Sequence, residues 1–181
     1  MMSRIFATTS VLLVCAALVI AEGPRHKSKE PPKDARFLFL KSLEGTWVVK
    51  NHNKITPPIT WEYRTTAVGS AIVERIMIGT PMEMLTVYHM NGPELEATHF
   101  CALGNQPHYT ADDPMKDGVL TFTCDGHVSN SASHNDQHMH KLTLQLDRDG
   151  VLRVGGEGFE DGDVVENPMF ELVRQKSDDG S

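Results

Sequence analysis

The sequence predicts an all-β domain, an up-and-down antiparallel barrel of about ten strands preceded by a short helix. Three observations predict it. From residue 46 onward, short segments of alternating apolar and polar residues follow one another. Turn-forming clusters separate them: Asn91-Gly92-Pro93, Gly104-Asn105-Gln106-Pro107, Asp117-Gly118, Asp149-Gly150 and Asp161-Gly162. No helical pattern of useful length interrupts the series. Closure into a barrel is expected because it removes the sheet edges that would otherwise pair with other chains.

The chain begins with Arg4 in an otherwise uncharged start, then an unbroken apolar run from Val11 to Ala21, ending in Val19-Ile20-Ala21. Those parts make a secretory signal peptide over residues 1–21, and the run is well short of the roughly 20 residues that span a bilayer. Its loss removes one cation and takes the formal charge from −7 to −8. The protein is then expected to be exported, periplasmic or secreted, with no membrane anchor after cleavage. Residues 22–36 are rich in proline and charge and read as a flexible linker. The barrel domain spans 37–176, and 177–181 form a disordered tail. An acidic chain with pI about 5.7 is a poor match for phosphate-driven binding, so nucleic acid is excluded as a partner.

Within the domain, Phe37, Leu38, Leu40 and Leu43 recur at near-helical spacing and stop at Gly45. Strands are expected near 46–51, 59–66, 70–78, 83–90, 94–102, 107–111, 118–125, 138–146, 151–156 and 168–174. Glu160-Asp161-Gly162-Asp163 reads as a hairpin turn rather than a calcium loop. No Gly-x-Ser-x-Gly elbow and no glycine-rich phosphate loop is present.

Leu43-Glu44-Gly45-Thr46-Trp47, a short helix leading to Gly-x-Trp, resembles the opening of calycin barrels such as lipocalins and fatty-acid-binding proteins. Phe170-Glu171-Leu172-Val173-Arg174 resembles their last strand, which implies a calycin-like barrel with Arg174 packed across Trp47 as a cation–π lid. Met84 to His89, Thr98 to Pro107 and His138-Met139-His140 resemble a family of exported bacterial proteins of uncharacterised function with a lipocalin-like barrel. Val48 and Val49 follow Trp47, so the Gly-x-Trp-x-Gly-x-Gly opening of nitrobindin-type haem barrels is not matched.

Strand alternation places His99 and Cys101 with Leu95 and Ala97, Cys124 with Leu120 and Phe122, and His138 and His140 with Leu142 and Leu144. Chain direction then brings His99, Cys101, His108, Cys124, His138 and His140, with the loop 126–137 as a cover, to one mouth. Two chemistries follow. In the first, the barrel binds a small apolar or amphipathic ligand, contacted by Trp61, Tyr63, Tyr88, His108 and Cys124, with neutral imidazoles orienting its polar group. In the second, His99, Cys101, His138 and His140 hold zinc or copper, and the protein is a metal-dependent hydrolase or lyase. Haem would take one of these histidines as an axial ligand. No catalytic residue is assigned. Cys101 and Cys124 form a disulfide only if the short strand between them, 107–111, gives way, since next-nearest strands stand roughly 9–10 Å apart.

Overall fold

The computed structural model describes residues 30–50, 58–133 and 135–176. Residues 1–29, which hold the expected signal peptide and most of the expected linker, residues 51–57, His134 and the expected tail 177–181 lie outside the described residues. One helix, α1 (Ala35–Ser42), precedes β1 (Gly45–Val49), β2 (Thr60–Thr66), β3 (Ala71–Ile76), β4 (Met84–Asn91), β5 (Glu94–Phe100) and β6 (Gln106–Ala111). The chain continues through β7 (Val119–Ser129), β8 (His138–Leu146), β9 (Leu152–Glu160), β10 (Asp163–Glu166) and β11 (Phe170–Arg174).

Neighbours in sequence pair antiparallel from β1 through β9, β11 sits between β9 and β1, and the β8–β9 pairing closes the ring. Ten strands make the wall. β10 is the strand that sequence reading did not anticipate. It folds back from the Asp161-Gly162 turn and pairs with the last part of β9, Glu157 to Glu160, while β11 pairs with the first part of the same strand, Leu152 to Val154. Its exposed, charged sequence, Asp-Val-Val-Glu, carries no inward apolar face to advertise it.

The helix closes one end. Asp34 caps it, its carboxylate accepting from the backbone N–H groups of Arg36 and Phe37. The helix therefore starts at Ala35, two residues before the expected domain start. Arg36 is buried, donating to Asp34 and to the Pro93 carbonyl in the β4–β5 turn. Phe37, Leu40 and Leu43 are fully buried, whereas Leu38 faces solvent. The Trp47 indole N–H donates to the Leu43 carbonyl at 2.7 Å. The Arg174 guanidinium lies over the Trp47 ring, as the calycin resemblance implies.

Inside, Trp61, Tyr63, Ile72, Tyr88, Leu95, Tyr109, Leu120, Phe122, Leu144 and Leu172 form one apolar cluster. This packing fills the barrel from the helix upward and leaves its other end open. Among the described residues, no helix is long and apolar enough to cross a membrane.

Candidate functional site

At the end opposite α1 the wall encloses a cavity of 440 Å³, within the range of small-ligand sites. β2 to β5 contribute Trp61, Ile76, Met84, Thr86 and His99, with Cys101 just beyond β5. β8, β9 and the segment leading into β11 supply His138, Met139, Leu142, Val154, Phe159, Pro168 and Phe170. Gly155 and Gly158 of β9 also line it. A Cβ on Gly155 would meet Met169 and the Pro168 carbonyl, so the bare backbone lets that segment lie close against the wall. The lining is mostly apolar, and among the described residues Glu160 at the rim is its one carboxylate, with no Lys or Arg beside it.

The expected site residues divide. Trp61, His99, Cys101 and His138 line the cavity. Tyr63 and Tyr88 lie deeper, fully buried, and bind a carboxylate there: the Tyr63 hydroxyl donates to Glu74 Oε1 at 2.6 Å and the Tyr88 hydroxyl to Oε2 at 2.5 Å. Cys124 is core, packed between strands, with its thiol near the His127 carbonyl.

His108 belongs to the opposite face. On β6 the inward residues are Pro107, Tyr109 and Ala111, so His108 turns outward, opposite Thr98. It lines an outer groove with His89, Glu96, Asp125 and His127, its ring 4.5 Å from that of His127. The apolar alternation of Tyr109 and Ala111 carried that signal.

His140 does not line the cavity. A β-bulge between Met139 and Lys141 interrupts the β8–β9 register and breaks the alternation that would have grouped His140 with His138 and Leu142. Its ring packs on those of His138 and Phe159. The bulge also draws Met139 into the cavity wall. β7 continues to Ser129, so the first residues of the expected cover loop are strand.

Cys101 and Cys124 are both free thiols, with β6 between their strands. Burial pushes both thiols up, away from the thiolate form that serves as nucleophile or ligand. Among the described residues, no three His, Cys, Asp or Glu side chains converge as a metal site would require.

Two residues went unremarked in the sequence, Glu74 and Thr86. Register sets them in line: Tyr63 opposes Glu74, Glu74 opposes Thr86, and Thr86 opposes His99. Thr86 Oγ1 lies 2.9 Å from His99 Nδ1. Glu74 and Thr86 are fully buried and His99 is 5% exposed. Burial lowers the His99 pKa to about 4, so the ring is neutral near pH 7. Burial raises that of Glu74, opposed by the hydroxyls of Tyr63, Tyr88 and Thr86. On cavity-lining side chains, His99 Nε2 and Trp61 Nε1 have no hydrogen-bond partner among the described residues. A carboxylate between Ile72 and Ile76 on one strand face was the available clue to Glu74.

The chain matches no protein-family model and no curated protein. The closed antiparallel barrel with its helical plug is consistent with a calycin-like fold, and fold alone does not assign a function.

Proposed function

We propose that this protein is an exported, lipocalin-like barrel that binds one small apolar or amphipathic molecule in its open end. The observation that carries the reading is the 440 Å³ cavity, walled by Trp61, Ile76, Met84, Leu142, Val154 and Phe170. Such a wall releases water from apolar ligand surface, at roughly 25 cal/mol per Å² buried. Residues 1–21 support export, and a mature chain starting at Glu22 is the expected product.

Titration with a neutral fluorescent apolar probe tests this reading. Saturable one-site enhancement is expected, weakened in Met84→Trp, which fills the cavity from a half-buried position on β4. Absence of saturable binding in the native chain overturns it. The metal-dependent alternative has no convergent ligand set among the described residues. On the binding reading, a chelator leaves probe affinity unchanged.

A further inference from the structure

Two tryptophans stand directly opposite each other on adjacent strands, Trp47 on β1 and Trp61 on β2. Both are buried, but their indole N–H groups have different fates. That of Trp47 is spent inside the fold, donating to the Leu43 carbonyl at the end of the helical plug. That of Trp61 has no partner among the described residues. The other register partner of Trp61 is Ile76, and its ring packs on Phe170 with centroids 5.3 Å apart. None of these three side chains, Trp47, Ile76 or Phe170, carries an acceptor atom. Trp61, Ile76 and Phe170 all line the cavity. An indole nitrogen donates and never accepts, so what Trp61 lacks is an acceptor. A buried donor left unmatched is costly, and the cavity is the side from which an acceptor can reach it.

Resting on the binding function proposed above, we infer that the cavity takes a neutral amphiphile of the ketone or ester class, whose carbonyl oxygen accepts from Trp61 Nε1. A carbonyl offers lone pairs and has no proton that needs a partner in return, so the match is independent of the His99 tautomer. The alkyl part is left to Met84, Leu142, Val154 and Phe170. A hydrocarbon of the same shape fills the same space but leaves the Trp61 N–H unmatched. A carboxylate also accepts, yet it brings a charge into a mostly apolar lining. It meets Glu160 at the rim and no Lys or Arg among the described lining residues.

The test uses the full exported chain near neutral pH with octan-2-one, octanoate and 2-methyloct-1-ene, in which a methylene replaces the carbonyl oxygen. Displacement of the neutral fluorescent probe reads the affinities, and nuclear magnetic resonance follows the indole N–H signals of Trp47 and Trp61. With octan-2-one the Trp61 proton is expected to move downfield, while that of Trp47, already bonded to Leu43, stays in place. The alkene should produce no such shift. Octanoate should bind at least about tenfold more weakly than the ketone. In Trp61→Phe the affinity of the ketone relative to the alkene should fall about fivefold or more. Any change of cavity shape felt by both ligands cancels in that ratio. An unchanged ratio, or octanoate binding as tightly as the ketone, overturns the inference and leaves the cavity function standing. Where Trp61→Phe fails to fold, the spectra of the unmodified chain decide: a Trp61 proton that moves no further with ketone than with alkene overturns the inference. A bound probe that the ketone does not displace also overturns it alone, whereas failure of the probe itself to bind removes both readings.

Discussion

The guanidinium carbon of Arg174 lies 4.5 Å from the centroid of the Trp47 ring, while its two Nη atoms donate to the carbonyls of Glu44 and Ser42. One side chain from the last strand thus holds the first strand and the end of the helical plug together. The same contact explains the glycine of Gly-x-Trp. Gly45 has φ +128°, and a Cβ there would stand 2.8 Å from Arg174 Nη1.

Arg174→Met keeps the apolar stem and removes the charge and both donors. It should destabilise the protein by about 1–3 kcal/mol, read as a lower urea midpoint at unchanged slope. Gly45→Ala should lower the midpoint as well, by displacing the same guanidinium. An unchanged midpoint in Arg174→Met would show that the lid contributes nothing.

Gly156 of β9 faces the bulged stretch of β8, where a Cβ would come within 1.9 Å of the Lys141 carbonyl oxygen. Backbone cannot yield there as a flexible side chain does. Gly156→Ala is therefore expected to cost about 3 kcal/mol or more and to disturb the wall beside His138 and Met139. Thermal unfolding checks the loss, and a melting temperature equal to that of the unmodified chain would refute the close approach.

The neutral, buried His99 makes stability depend on acid. In the unfolded chain it titrates near its ordinary 6.5, and in the folded protein at about 4. As pH falls below 6.5 the unfolded state takes up a proton that the native state refuses. The native advantage present above 6.5 is lost progressively and is gone below about 4, a contribution of order 3 kcal/mol. His99→Gln should lack this acid-side loss when urea unfolding is compared between about pH 7 and about pH 4. Parallel profiles for the two proteins would contradict a buried neutral ring.

Glu74 works in the opposite direction. Burial raises its folded pKa above the ordinary 4.5, so its contribution is complete below 4.5 and declines as pH rises through the raised value. Glu74→Gln, neutral at every pH and close in shape, should flatten that alkaline-side decline. The comparison is best made in the His99→Gln background, which removes the competing acid-side slope. A steeper decline in the Gln variant would show that the hydroxyls of Tyr63 and Tyr88 stabilise the anion more than burial penalises it.

The barrel was legible in the chain because period-two alternation and turn residues are local signals, and ten of the eleven strands announce themselves that way. Trp47 and Arg174 were legible through resemblance at the two ends. β10 was not, since its exposed residues have no apolar face to place. The site was read unevenly for the same reason. His99, Cys101 and Trp61 follow the alternation of regular strands into the cavity. His140 and His108 depart where a bulge or a neighbouring aromatic resets which face is inner.

By itself the sequence determined the fold class, the strand order implied by short hairpins, and a chemistry of histidines and apolar residues. Tertiary structure decided which of those residues meet. Glu74, Thr86 and His99 are separated along the chain by 12 or more residues and become a row only when β3, β4 and β5 pair in register. Alternation assigns a face to each residue, but the level at which it stands comes from cross-strand hydrogen bonding. Hydrogen-bond partners and burial both depend on that level.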